Sequence, residues 1–223
     1  MSADLALALS LADEADRIAL ARFRALDLHV ETKPDLTPVS EADRAVEAAL
    51  RDRLARERPD DPVLGEEQGG ADASGWILDP IDGTRNYTRG IPVWATQIAY
   101  ADRVAVVSAP ALRRRWWASR GDGAFADGEP IHVSMVDRLE DATLLYGLDR
   151  PVPERAWSAW HLRGFGDFWS HMLVAEGAAE AAFDAAGLAI WDTAPLKVIV
   201  EEAGGRFDDP VSSNGLLDLS GLR

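Results

Sequence analysis

Two aspartates and a glycine turn follow a short apolar run in the first half of the chain. The run at residues 76–78 has the composition of a buried strand, and residues 79–84 then read Asp-Pro-Ile-Asp-Gly-Thr. Because proline and glycine tighten the turn, Asp79 and Asp82 can converge on one point and offer the oxygen ligands that hard divalent cations prefer. An Asp-Gly turn with two solvated acids is an equally good interpretation of this segment alone.

Acids at the ends of two other predicted elements extend this site. Glu66 and Glu67 follow the apolar run at 63–64, which also has the pattern of a short strand. Two strands that both end in acids are less expected in a purely structural loop. Asp192 stands at a predicted helix start, where a simple N-cap is the commoner role for a single Asp. These patterns alone make Glu66, Asp79 and Asp82 candidates for one metal cluster, and they leave both roles open for Asp192.

The chain resembles the inositol monophosphatase superfamily in motifs that occur in that family's order. They are Gly-Glu-Glu at 65–67, Asp-Pro-Ile-Asp-Gly-Thr at 79–84, Trp-Asp-Thr-Ala at 191–194 and Glu-Ala-Gly-Gly at 202–205. The resemblance spans nearly the whole chain. It implies the family's α/β fold, a layered αβαβα sandwich, together with its usual homodimer and a phosphomonoesterase activity that depends on Mg²⁺.

The resemblance also implies a metal role for each motif residue. In the family, the residue matched by Glu66 binds one cation with Asp79 and the backbone carbonyl of Ile81. Asp79 then bridges to a second cation, which Asp82 and Asp192 hold. Two or three Mg²⁺ ions are therefore expected, with Mn²⁺ as an alternative, and a third ion would lie near Glu66 and Asp43.

Catalytic and phosphate-binding roles follow from the same resemblance. Cations on both sides of an in-line displacement can activate water and stabilise the leaving oxygen, so no covalent nucleophile is required. Thr84, with Asp43 and Glu66, matches the residues that orient and deprotonate this water. Gly83, Thr84 and Asp192 are expected to contact the substrate.

Each of these roles has a structural alternative. Thr84 can be a capping hydroxyl. Asp43 completes a Ser-X-X-acid pattern with Ser40, so closing a helix is as good an explanation as catalysis. Lys33 can reach a phosphate, although a single loop lysine is more often solvated.

The segment at 164–168, Gly-Phe-Gly-Asp-Phe, lies where the superfamily places its substrate-selecting residues. Many inositol-type members have Ser, Thr or Ala at the position of Asp167, whereas an acid is typical of the histidinol-phosphate phosphatase subfamily. The chain is most similar to that subfamily, and histidinol phosphate is the expected substrate. Inositol 1-phosphate and sugar phosphates remain alternatives. A non-catalytic protein that binds a phosphometabolite is a further alternative, against which the complete set of metal-site acids argues.

The elements that must position these residues alternate between helix and strand. Apolar residues at steps of three and four predict a helix from Leu5 to Leu26, and Ser40 can cap a second helix that ends at Pro59. Further helices are predicted at 167–176 and 192–203, and strands at 63–64, 76–78, 93–100, 104–109, 115–119 and 181–183. We expect one phosphatase unit over residues 1–223. It has two candidate lobes, 1–140 with the metal and phosphate site and 141–223 with substrate selection and the last metal ligand.

Composition excludes several partners and chemistries. A net charge of −15 argues against binding to nucleic acid or anionic lipid, because both need clustered basic residues. The absence of cysteine excludes thiol nucleophiles and zinc–thiolate sites. The N-terminal segment lacks the basic region of a secretion signal, and no stretch is long enough for a membrane span. The expected protein is cytoplasmic, and its partner is a small-molecule phosphate monoester.

Overall fold

Five α-helices occur in the part of the chain that the computed structural model describes, residues 1–34, 36–70, 72–147 and 151–222. Two short 3₁₀ helices lie at Leu139–Asp141 and Glu154–Ser158. The α-helices are α1 (Ala3–Arg22), α2 (Glu41–Glu57), α3 (Thr84–Thr88), α4 (Asp167–Ala175) and α5 (Ile190–Glu202).

The strands form one hairpin and two larger sheets. They are β1 (Val30–Thr32), β2 (Pro38–Ser40), β3 (Val63–Gly65), β4 (Trp76–Asp82), β5 (Ala95–Tyr100), β6 (Val104–Ala109), β7 (Arg114–Ser119), β8 (Gly123–Ala126), β9 (Glu129–Ile131), β10 (Thr143–Tyr146), β11 (His161–Arg163), β12 (Ala181–Phe183), β13 (Arg206–Asp208) and β14 (Val211–Ser213). The seven-stranded sheet has the order β3-β4-β5-β6-β7-β8-β9, and the five-stranded sheet has the order β11-β10-β12-β14-β13.

The sheets and helices lie in layers because the central strands are apolar on both faces. On β6, Val104 and Val106 pack with α1 and α2, whereas Ala105 and Val107 pack with α4 and α5 on the opposite face. Helix α4 also contacts β10 and β12 of the second sheet. The outer face of that sheet is covered by the 3₁₀ helix at Glu154–Ser158 and by the C-terminal turns. The arrangement confirms the predicted layered α/β fold.

Two pairings in the larger sheet place the acidic strand ends together. Strand β3 runs parallel to β4, with Gly65 opposite Leu78, so both strands deliver the residues that follow to the same edge. Strand β4 is antiparallel to β5, and its register shifts between Asp79 and Asp82. In a regular strand, residues three apart point to opposite faces. The shift removes that constraint and lets both aspartates serve one site.

Several predicted boundaries were wrong. Helix α1 ends at Arg22 and not at Leu26, because Phe23 is extended and Arg24 has a φ of 64°. Strands β1 and β2, which the sequence did not indicate, pair antiparallel. Helix α5 begins at Ile190, before Asp192.

Among the described residues, none of the helices has the length and apolar character that a membrane span needs.

Candidate active site

Three carboxylates converge at the edge where β4 ends and α5 begins. One oxygen from each of Asp79, Asp82 and Asp192 lies within 4.8 Å of the others. Asp79 is 1% exposed, and its Oδ1 has no hydrogen-bond partner among the described residues. A buried carboxylate oxygen without a partner is costly, so this atom needs a cation or a proton.

The electrostatic environment of the three carboxylates also favours a bound cation or proton. Burial raises the pKa of Asp79 well above the usual range, and Glu66 and Asp82 raise it further. Burial likewise raises the pKa of Asp82, with added repulsion from Asp167. The pKa of Asp192 rises to about 6, mainly through burial. Since a hard divalent cation would relieve this repulsion with oxygen ligands, the residues present fit such an ion.

Glu66 lies beside the three carboxylates at the end of β3. Its N–H donates to the Leu78 carbonyl at 3.2 Å, and its Oε1 is 2.7 Å from Lys33 Nζ. Lys33 also pairs with Glu67 at 2.6 Å. Although burial opposes the charge on Lys33, these two acids raise its pKa. The interpretation of Lys33 as a solvated loop residue was therefore wrong.

Asp82 connects β4 to helix α4. Its Oδ2 accepts hydrogen bonds from Gln97 Nε2 at 3.0 Å and from the Phe168 N–H at 2.6 Å. Both contacts fix the orientation of the carboxylate, and one of them also uses an N–H of the first turn of α4.

Asp192 is the third residue of α5 and not its N-cap. Its Oδ2 accepts a hydrogen bond from the N–H of Ala189, the residue that precedes the helix, at 2.9 Å. The prediction that this acid begins the helix was wrong by two residues. Its contact closes the helix start and at the same time turns the carboxylate toward Asp79 and Asp82.

Asp43 and Thr84 form a short polar chain beside the cluster. Asp43 Oδ2 accepts from the Ser40 N–H at 2.9 Å and from Ser40 Oγ at 2.5 Å, which closes the capping box of α2. Thr84 Oγ1 lies 3.0 Å from Asp43 Oδ1 and 2.8 Å from the carbonyl oxygen of Ile81. Asp43 therefore caps the helix and also contacts Thr84, and its catalytic role stays a prediction.

Gly83 and Asp167 face each other across the site. Gly83 precedes α3 with a φ of 84°, and Asp167 Oδ2 lies 3.5 Å from the place that a Cβ on Gly83 would occupy. Burial raises the pKa of Asp167, with added repulsion from Asp184. Asp167 itself has a φ of 56°, and the N-cap of α4 is Gly166. Asp167 is therefore the first residue of α4 and not its N-cap.

A pocket of about 140 Å³ adjoins the cluster and contains two residues that the sequence did not indicate. One is Asp184, which accepts from the Ala185 N–H at 2.8 Å. The other is buried His171, whose Nδ1 lies 2.9 Å from Ser212 Oγ and whose Nε2 lies 3.7 Å from Asp184 Oδ2. Asp184 follows the end of β12, so the strand-end pattern that identified Asp79 could have found it. The lining residues are Asp82, Asp167, Phe168, His171, Asp184, Leu188, Asp192 and Leu196.

Comparison with known sequences decides the family. The sequence profile of the inositol monophosphatase family matches residues 1–219. The chain belongs to the inositol monophosphatase family. It is accordingly a phosphatase, a phosphoric monoester hydrolase of a metal-dependent family whose acidic cluster is present here.

Individual members of the inositol monophosphatase family agree with this assignment. The chain is 49% identical to a histidinol-phosphatase of Mycobacterium tuberculosis over 246 aligned positions, which cover 96% of this chain and 94% of that protein. It is 39% identical to a histidinol-phosphatase of Chlorobaculum parvum, with 100% and 92% covered. Among solved structures, an IMPase of Thermotoga maritima matches with a TM-score of 0.86 at 27% identity, covering 96% of this chain and 93% of that one.

Proposed function

We propose that this phosphatase hydrolyses L-histidinol phosphate to L-histidinol and phosphate, a step of histidine biosynthesis. The observation that supports this most is the acidic lining of the pocket beside the metal cluster, to which both Asp167 and Asp184 contribute. Histidinol carries an amine that is protonated at neutral pH, whereas inositol offers only hydroxyl groups. Relatives named histidinol-phosphatases, at 49% and 39% identity, point to the same substrate.

The proposed cofactor is Mg²⁺, in two or three ions, with Mn²⁺ as a substitute. The orphaned Oδ1 of Asp79 and the three convergent carboxylates support this assignment. When bound there, the cation supplies Lewis acidity toward the phosphate ester and water. The residues proposed to hold it are Glu66, Asp79, Asp82, Asp192 and the backbone carbonyl of Ile81.

Thr84 and Asp43 are proposed to orient the attacking water and receive its proton. The Thr84 hydroxyl has one proton, so it donates either to Asp43 Oδ1 or to the Ile81 carbonyl at any moment. Burial raises the pKa of Asp43, which makes this carboxylate a better proton acceptor than an exposed aspartate. Glu66, which follows the neighbouring strand β3 at the same edge of the sheet, completes the proposed catalytic set.

The proposed contacts are made at both ends of the substrate, the phosphate and the alcohol that carries the ammonium group. Gly83 and Thr84 contact the phosphate, and Asp192 lies between the phosphate and the leaving alcohol. Asp167 makes a charge-assisted hydrogen bond to the ammonium group. Such a bond contributes about 1.5 to 3 kcal/mol, which corresponds to roughly ten- to hundredfold in specificity.

Phosphate release from a substrate panel tests this proposal. With Mg²⁺ present, we expect kcat/KM for histidinol phosphate to exceed the values for inositol 1-phosphate and a sugar phosphate by about tenfold or more. A preference for inositol 1-phosphate would move the assignment to the inositol-type activity. No phosphate release from any of the three would return the non-catalytic binding protein to consideration.

We also propose that the chain forms a homodimer. Trp157 and Trp160 are 70% and 72% exposed, and both lie just before β11, an edge strand of the five-stranded sheet. Large exposed aromatic side chains beside an unpaired strand edge are typical of a subunit interface. Light scattering should give twice the 24.2 kDa chain mass, and Trp160→Glu should shift the protein toward monomer. A monomeric parent protein would contradict the proposal.

A further inference from the structure

A buried glutamate of helix α2 holds the turn that carries Glu66. Glu47 is 0% exposed and takes no part in the site described above. Its Oε2 accepts a hydrogen bond from the Glu67 N–H at 2.7 Å, and its Oε1 accepts one from the Gln68 N–H at 3.0 Å. The carboxylate therefore fixes the backbone of the two residues that directly follow Glu66.

Arg51 lies one helical turn further along α2 and donates hydrogen bonds to carbonyl groups of the same segment. Its Nε donates to Glu47 Oε1 at 2.7 Å, its Nη1 donates to the Val63 carbonyl at 3.4 Å, and its Nη2 donates to the Gly69 carbonyl. Helix α2 thus supplies an acceptor for the N–H groups of the turn and donors for its carbonyls. A side-chain pair that satisfies both kinds of backbone group leaves the turn little freedom to move.

The glycine before Glu66 is what permits this close approach. A Cβ at Gly65 would overlap Oε1 of Glu47. Gly65 also closes the turn, because its N–H and carbonyl exchange hydrogen bonds with Gly69, each at 3.0 Å. The Gly-Glu-Glu motif therefore combines a proposed ligand, Glu66, with the one residue type that lets Glu47 reach the backbone beside it.

We propose that Glu47 is a positioning residue for the metal site and that it acts by fixing the backbone that presents Glu66. This inference rests on the proposed function, in which Glu66 is a metal ligand. Some groups orient a metal-binding residue without touching the metal. Their removal typically changes metal affinity or activity by about 10- to 100-fold. Loss of the Glu47 carboxylate should therefore weaken cation binding even though Glu47 touches no cation.

Calorimetric titration of the metal-free protein with Mg²⁺ tests the inference without relying on activity. Glu47→Gln keeps the side-chain shape but replaces one acceptor oxygen with an amide NH₂, which opposes a backbone N–H. We expect the dissociation constant for Mg²⁺ to rise by about tenfold or more. The matched control is Glu57→Gln on the same helix, which removes an exposed ion pair with Arg53 four residues away and should leave Mg²⁺ affinity unchanged.

Two further variants keep the test decisive if Glu47→Gln does not fold. Gly65→Ala retains every charge but forces Glu47 away from the turn, and Arg51→Lys removes the planar group that reaches both Val63 and Gly69. Both should weaken Mg²⁺ binding. A lower melting temperature with unchanged Mg²⁺ affinity in the folded variants would show that Glu47 has a structural role alone. Failure of the parent protein to bind Mg²⁺ would instead overturn the proposed metal site itself.

Discussion

Asp82 accepts hydrogen bonds from two elements on one carboxylate oxygen, which leaves the other oxygen available to a cation. Both hydrogen bonds that the described structure gives its side chain, from Gln97 and from the Phe168 N–H, fall on Oδ2. An asparagine can accept both with its amide oxygen, which would place its NH₂ group where Oδ1 stands now. The substitution therefore removes an anionic ligand while the contacts between β4 and α4 remain.

Asp82→Asn should abolish activity that depends on a divalent cation, with a loss of kcat of at least about a hundredfold, and should leave folding intact. Phosphate release and the melting temperature of the metal-free protein measure the two effects. Asp122→Asn, in an exposed turn between β7 and β8, is the control and should retain parent activity. Hydrolysis at the parent rate by Asp82→Asn would show that the proposed metal role is wrong.

Asp167 can be tested for charge recognition because its backbone favours asparagine as a replacement. Its φ of 56° lies in the left-handed region, which Asn tolerates and which would strain most other residues. We expect Asp167→Asn to lower kcat/KM for histidinol phosphate by roughly ten- to hundredfold and to affect inositol 1-phosphate much less. The melting temperature should change little, since the N-cap of α4 is Gly166. Equal losses on both substrates would count against recognition of the ammonium group.

At the scale of the element, the residues that cap the start of helix α2 also contact the candidate active site. Ser40 and Asp43 close the helix by their capping box, and the second oxygen of Asp43 contacts Thr84 at the start of α3. A cap of this kind contributes about 1 kcal/mol to stability. Because the same carboxylate holds the threonine, substitution of Asp43 cannot separate catalysis from folding, whereas substitution of Thr84 can.

Thr84→Val should lower kcat by about a hundredfold, because it removes the hydroxyl that links the water to Asp43 while it keeps the side-chain shape. The capping box remains, so the loss of stability should be small compared with the loss of rate. Thr84→Ser retains the hydroxyl and should recover most of the activity. If the valine and serine variants have the same kcat, Thr84 is a structural residue only.

At the scale of the whole molecule, the acidic cluster makes stability depend on pH and on the cation. Burial raises the pKa of Asp192 to about 6 and raises the pKa values of Asp79 and Asp82 well above the usual range of an aspartate. A carboxyl group whose pKa is higher in the folded chain favours folding while it is protonated. For Asp192, this contribution is present below the unfolded value and is lost as the pH rises through about 6.

Removal of the cation should therefore lower the melting temperature more at pH 7.5 than at pH 5. We expect a difference of several degrees between the Mg²⁺-loaded and chelated protein at pH 7.5, because about 1 kcal/mol corresponds to roughly 2–4 °C in a chain of this size. At pH 5 the difference should shrink, since protons then relieve the repulsion. Thermal unfolding at both pH values measures it, and Asp192→Asn should reduce the pH dependence. A difference independent of pH would contradict this account.

The position of the acidic cluster in the chain could be predicted from the sequence because it depends on local pattern. Apolar runs that end in acids indicated Glu66 and Asp79, and turn residues brought Asp82 into the same segment. Helix and strand periodicity also predicted most elements, with errors of a few residues at their ends. Residue type and spacing along the chain encode these features directly, since strand ends and tight turns are formed by neighbours in sequence.

Only the tertiary structure decided how those residues meet. The shifted register between β4 and β5 and the ion pairs of Lys33 join segments that are distant in sequence. The same is true of the pocket that Asp184 and His171 line and of the hydrogen bond from the Glu67 N–H to Glu47. Local periodicity fixes which face of an element is buried but not which polar groups become neighbours across elements. That choice follows from packing and from the need to satisfy each buried polar group, and it exists only in the folded chain.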